Sequence, residues 1–201
     1  MGSDVQDTLI TVLSEKMMPI PELNEAVYAR RGFNVIATAN NRDKGVNELS
    51  SALKRRFNVV VLPLPATLEA ETRIVAKRVD EIGAALALPP VARAEREIER
   101  VVAIFRELRG GQTLDGRIKL KSPSGSLSTA EAIAVTIGAW AEAAHFGSGA
   151  IDAETLSANL VGAIVKDPVQ DAIVLREYLE TVARERTGWR DLYTAMREIA
   201  M

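Results

Sequence analysis

Two polar clusters in the stretch Phe33 to Pro65, FNVIATANNRDKGVNELSSALKRRFNVVVLPLP, sit at the ends of strongly apolar runs. Ala37-Thr38-Ala39-Asn40-Asn41 closes the first run, and Arg55-Arg56-Phe57 opens the second. Open α/β sheets build ligand sites from polar residues just past the C-terminal end of a buried parallel strand. The residue types on offer are the amides of Asn40 and Asn41 and the guanidinium groups of Arg55 and Arg56, which suit positioning and charge stabilisation rather than covalent catalysis. None of the 13 glycines lies in a G-x-x-x-x-G-K-[ST] phosphate loop, and no apolar run ends in Asp-Glu to hold a metal.

Other residues offer less chemistry. His145 is the lone histidine and there is no cysteine, so Cys/His and Ser/His/Asp constellations have little to draw on. Its place before Phe146-Gly147 reads as a cation at a helix C-terminus. The paired acids Glu69/Glu71 and Asp80/Glu81 lie on helical patterns rich in Arg and Lys and read as solvated faces with i,i+4 partners. Trp140 and Trp189 fall in apolar helical patterns, as core or interface anchors do. The basic residues lack the interleaved aromatics that stack nucleic-acid bases.

The elements that position the first clusters form an α/β pattern. Val5, Leu9, Val12 and Leu13 recur at helical spacing over Asp4 to Glu15, a helix that opens almost at the first residue, as in a cut chain. Met17 to Arg31, with Pro19, Pro21 and Asn24, reads as a short hairpin or irregular excursion. Phe33 to Ala39 is a near-continuous apolar strand, Asn47 can cap a helix over Glu48 to Arg56, and Asn58 to Leu64 is a second strand. Strand, helix and strand make a right-handed crossover unit with parallel strands.

After Pro63 and Pro65 the pattern is helical throughout. Thr67 to Leu86 and Val91 to Leu108 are amphipathic, and Gly110-Gly111 stops the second. A polar loop over Gln112 to Leu127 carries a brief alternating piece at Arg117 to Lys121. Ser128 and Glu131 form a capping box for a helix to about His145. Further helices run from about Asp152 to Lys166, from Pro168 to Arg186, and from Trp189 to Met201. The fold class is therefore an α/β fragment followed by an all-α module, mainly helical overall, with domains 1–65 and 66–201.

Composition narrows the function class. With 47% apolar residues the 201-residue chain can bury a core, and its net charge of −2 gives no general pull toward nucleic acid or an anionic membrane. Absent cysteine fits a reducing compartment, so cytoplasm is the expected location. No apolar run approaches the roughly 18 residues of a membrane span. Gln6 stands where a myristoylation signal after Met1-Gly2 requires Ser or Thr.

The residues from Asp4 to Pro65 resemble the second half of the nucleotide-binding core of a MoxR-type AAA+ ATPase. The helix Val5 to Lys16, the excursion Met17 to Ala29, the strand and loop Val35-Ile-Ala-Thr-Ala-Asn-Asn41 and the segment Ala52-Leu-Lys-Arg-Arg-Phe57 match that family in order and spacing. The helical remainder resembles its lid. The resemblance implies that Asn40 is the sensor 1 residue, positioning the attacking water near the γ-phosphate, and that Arg56 is the arginine finger reaching a neighbouring subunit's nucleotide. A trans-acting arginine is worth roughly 10³ to 10⁵ in rate. On spacing alone, Arg55 and Arg56 are cations at a helix C-terminus, and Asn40 is a turn or capping residue. The flanking match carries the functional reading of both.

The resemblance further implies ATP and magnesium as cofactors of an intact protein, a homo-oligomeric ring, chaperone-like remodelling and a von Willebrand factor A domain partner. No phosphate loop or acidic strand end is present, so the chain alone is expected neither to bind nucleotide nor to hydrolyse ATP. The family's second sensor arginine would fall near Ser128-Thr129-Ala130, where there is no arginine. Lys119 or Lys121 in the preceding loop could replace it, although solvated loop charge is the ordinary reading of both. In the family sheet the two strands present here are not neighbours, so alone they would expose unpaired apolar edges. The alternative is a non-enzymatic interaction or assembly module.

Overall fold

A computed structural model describes residues 3–38, 50–91, 95–147 and 149–200. The chain divides into two units, Met1–Pro63 and Leu64–Met201.

In the first unit the amphipathic pattern folds as expected into α1 (Ser3–Glu15). Lys16, with φ 54°, turns the chain out of the helix while its N–H still reaches the Val12 carbonyl. A hairpin follows, with β1 (Met17–Ile20) antiparallel to β2 (Glu25–Tyr28) and Met17 opposite Tyr28. Its turn is one 3₁₀ turn, Pro21–Leu23, closed by Asn24 at φ 51°. Asparagine tolerates that left-handed geometry better than most residues. The excursion is thus a hairpin.

The short helix α2 (Ser51–Lys54) begins at Ser50, whose hydroxyl accepts from the Leu53 N–H at 3.2 Å. The expected cap Asn47 and the start of the helix drawn from Glu48 lie outside the described residues. The parallel crossover unit is corrected by the structure: residues 33–38 and 58–64 form no ladder. Their apolar side chains stand in solvent, Ile36 at 92% and Leu62 at 85% exposure. A strand exists only where another backbone takes up its N–H and C=O groups, and the described residues offer these two runs no such partner.

The second unit is a bundle of α3 (Leu68–Ala85), α4 (Glu95–Gly110), α5 (Thr129–His145), α6 (Ala153–Ile164), α7 (Gln170–Tyr178) and α8 (Arg190–Ala200). A π-helical turn, Leu179–Ala183, extends α7. Side-chain caps start three of these helices. Thr67 accepts from the Ala70 N–H, Ser128 and Glu131 form the expected capping box, and Asp152 pairs reciprocally with Thr155. Gly111, at φ +67°, carries the chain out of α4.

One continuous core joins Val75 and Val79 of α3 to Val101, Phe105 and Leu108 of α4, Val135 of α5, Leu156 and Leu160 of α6, Leu175 of α7 and Leu192 of α8. Where α3 passes α5, the Trp140 ring occupies the space that a Cβ at Gly83 would need. The indole N–H is fixed at 2.8 Å on the Pro89 carbonyl, so the ring has little freedom to yield.

The units differ sharply in what they bury. Among the described residues of the first, only Gln6 and Leu53 are buried, whereas the second buries side chains from every helix. Local opening free energy follows buried apolar contact. Backbone amides of α3 to α6 are therefore expected to exchange hydrogen far more slowly than those of α1, the hairpin and α2. Mass-spectrometric exchange on the 201-residue chain checks this, and equal protection in both units would contradict it.

Candidate functional site

Arg56 stands two residues past the end of α2, in a turn whose hydrogen bonding is no longer α-helical. Its N–H bonds the Leu53 carbonyl at 3.0 Å instead of Ala52, leaving the Ala52 carbonyl open. The Arg56 side chain folds back to fill it, Nη1 donating to the Ala52 carbonyl at 2.8 Å. This is the helix-end role that spacing alone assigns. A second bond exceeds that role: Nε donates at 2.6 Å to the hydroxyl of Ser14, 42 positions away in the last turn of α1. Nη2 has no partner among the described residues, and the side chain is exposed. The adjacent Arg55 makes no side-chain hydrogen bond or ion pair among the described residues, so the structure separates two arginines that spacing alone could not.

The frame that holds Arg56 is the pair α1 and α2. Gln6, 7% exposed, accepts from the Ser50 N–H at 2.8 Å, gripping the start of α2 as Ser14 grips the turn after it. Leu53, fully buried, lies between those two points. Asn40, the other residue expected to carry chemistry, lies outside the described residues.

In the second unit the expectation that Glu71 is part of a solvated face is overturned. Its carboxylate has no exposure and accepts from Arg106 at 2.8 Å, from both terminal nitrogens of Arg109 and from the Thr129 hydroxyl at 2.7 Å. Burial opposes its ionisation, but the hydrogen bonds of Arg109, Thr129 and Arg106 outweigh it and hold the carboxyl below the ordinary range. The spare donors of the arginines go to backbone. Arg106 reaches the carbonyls of Pro65 and Ala66, and Arg109 that of Leu127. Thr129, where the resemblance would put a sensor arginine, thus serves this internal cluster. A signal was available: Glu71 stands four residues before Val75, in line with Val79 and Gly83 on the buried face of α3.

Further polar clusters are likewise turned inward. Glu107, fully buried, accepts from the Tyr178 hydroxyl at 2.6 Å, from Arg186 and from the Leu114 N–H. Asp171 accepts from the N–H groups of Ser124, Lys166 and Asp167 and from the Ser124 hydroxyl. Arg100 binds Glu97 and Asp191. Of the two loop lysines, Lys121 pairs with Glu177 at 3.1 Å, while Lys119 belongs to a single bridge with Gln112. Glu81 pairs with Lys77 and Arg78 on an exposed face, as expected. Trp189 is a core residue with Arg186 stacked 4.4 Å from its ring centroid. His145 ends α5 beside Phe146. Among the described residues no group of three or more His, Asp or Glu is placed to hold a metal ion, and no helix is long and apolar enough to cross a membrane.

Two family models match this chain, over different stretches of it. Residues 69–200 match the family described as the YehL-like AAA+ ATPase C-terminal domain. Residues 1–57 match the AAA domain of the dynein-related subfamily. A protein of Escherichia coli (strain K12) described as uncharacterized protein YehL is 35% identical over 206 residues, covering 98% of this chain and 55% of that relative. The chain therefore spans about half the length of the relative it matches. No solved structure matches it.

The Glu71 cluster has a definite pH signature. Because the folded carboxyl is held below its unfolded value of about 4.3, its stabilisation is complete above that value and is lost as pH falls through it toward the folded one. Glu71→Gln is expected to cost about 1–3 kcal/mol at pH 7 by leaving two partly buried guanidinium groups underpaired. The difference from wild type should shrink on going from pH 5 to pH 3. Urea midpoints across that range check it, and a pH-independent difference would refute the assignment.

Proposed function

This chain belongs to the AAA+ ATPase family that carries the YehL-like C-terminal domain, and from that premise we propose that it is the C-terminal portion of a MoxR-type, ATP-driven remodelling enzyme. The observation that carries the reading is the order of the two matches: an AAA core segment over residues 1–57, followed by the C-terminal module over 69–200. On this reading the chain supplies supporting parts of a nucleotide site. Arg56 offers its guanidinium to the phosphate of a neighbouring subunit in a homo-oligomeric ring, and Asn40 positions water. The remodelling activity and a von Willebrand factor A domain partner belong to the same proposal.

The residues present fit only part of an ATP–magnesium site. The sequence has no glycine loop with its lysine to cradle the β- and γ-phosphates, so those contacts must come from other residues of the core. When bound, ATP supplies the transferable phosphoryl group. Arg56 is suited to the remaining task, since an always-charged planar guanidinium held at an exposed turn can meet a phosphate oxygen as negative charge develops there.

A non-enzymatic assembly module is the second reading, and the exposed apolar run favours it. Val59, Val60, Val61 and Leu62 are between 69% and 85% exposed, as a segment that pairs with another chain would be.

Two measurements test the proposal. In the ATPase completed with a phosphate-loop half, Arg56→Ala is expected to lower kcat by roughly 10³- to 10⁵-fold with little change in KM, because the arginine acts on the transition state. An unchanged kcat would exclude the arginine-finger role. Calorimetry of this chain alone with ATP and magnesium is expected to show no saturable binding. Saturable binding would place a complete nucleotide site within these residues and overturn the division of labour.

A further inference from the structure

We infer that Ser14 is a positioning residue for Arg56, a neutral anchor on α1 that orients the guanidinium in advance while leaving its charge available to an external anion. The inference rests on the reading of Arg56 as an arginine finger.

Three features of the geometry carry it. The Nε–Ser14 bond, at 2.6 Å, crosses from the turn after α2 to α1 and spans 42 positions, so it is not a by-product of local helix capping. Together with the Nη1–Ala52 bond at 2.8 Å it fixes the plane of the guanidinium at two points, and Nη2 is left outward without a partner among the described residues. The backbone that carries Arg56 is held as well, because Gln6 accepts from the Ser50 N–H at 2.8 Å and Ser50 caps Leu53. Gln6 and Ser14 lie about 12 Å apart along α1 at 1.5 Å per residue. The helix therefore works as a splint against both ends of the α2 turn.

The chemistry of the anchor matters as much as its position. A hydroxyl accepts the Nε–H without adding negative charge, whereas a carboxylate in its place would neutralise the guanidinium before any phosphate arrived. An arginine side chain left free must be ordered at the moment of reaction, and ordering it beforehand removes that cost from the catalytic step. Ser14 should therefore influence the step in which Arg56 acts rather than nucleotide affinity.

The test compares Ser14→Thr, which keeps the hydroxyl, with Ser14→Val, which has nearly the same shape and lacks it. Both side chains are β-branched, so any cost to α1 is shared. In the 201-residue chain, the ¹⁵N-resolved Nε–Hε signal of Arg56 is expected to exchange with solvent several-fold faster in Ser14→Val than in Ser14→Thr. In the completed ATPase, Ser14→Val should lower kcat roughly 3- to 10-fold relative to Ser14→Thr with KM unchanged, the scale of one net hydrogen bond. That difference should vanish in an Arg56→Ala background. Equal Nε–Hε exchange and equal kcat in the two Ser14 variants, with Arg56→Ala still slow, would overturn the Ser14 inference alone. An Arg56→Ala enzyme of normal rate would overturn the finger reading and the positioning role with it.

Discussion

The second unit is organised around a carboxylate that has no access to water. An ionised Glu71 in an apolar interior is costly unless donors surround it, and its donors come from Arg106 and Arg109 on α4 and from Thr129 on α5. Three helices must therefore be in correct mutual register for one charge to be satisfied. The apolar contacts of Val75, Val79, Val101 and Phe105 pull those helices together but are not directional. The same two arginines also take up the carbonyls of Pro65, Ala66 and Leu127, so the chain segments entering α3 and α5 are fixed by the same cluster. Glu107 and Asp171 repeat the device farther along the bundle, each tying a loop or a turn to helices distant in sequence.

What could be read from sequence was what is decided locally. The capping box at Ser128 and the stop at Gly111 depend on residues within one turn, and both stand where the pattern places them. The charge of Glu71 suggests a solvated position, whereas its place one helical turn before Val75 and two before Val79 marks it as inward-facing. The apolar runs around Val35 and Val60 failed for a different reason. Their composition suits a buried strand, but strand formation is settled by a neighbouring backbone, about which a single run of residues carries no information.

The candidate site shows the same limit more sharply. Arg55 and Arg56 are the same residue type at adjacent positions, and no rule of spacing distinguishes them. The distinction arises from Ser14, whose hydroxyl meets Nε of Arg56 across 42 positions of sequence. The amphipathic pattern of α1 was legible, but its apolar stripe says nothing about which polar residue faces α2. Gln6 carries no sequence signal of its role either, yet it is buried and holds the start of α2.

The arginines of this chain divide by what holds them. Arg100, Arg106, Arg109 and Arg186 each face a carboxylate, so their charge is largely consumed within the fold. Arg56 is held by a hydroxyl and a carbonyl, both neutral. A carboxylate about 4 Å away would set about 4 kcal/mol of attraction, at the effective dielectric of a protein surface, against any incoming anion's claim on the same charge. Neutral anchoring leaves that attraction intact while still fixing direction. Orientation without neutralisation is the combination that an arginine needs if it is to meet an incoming anion. It separates Arg56 from the four arginines that hold the bundle together.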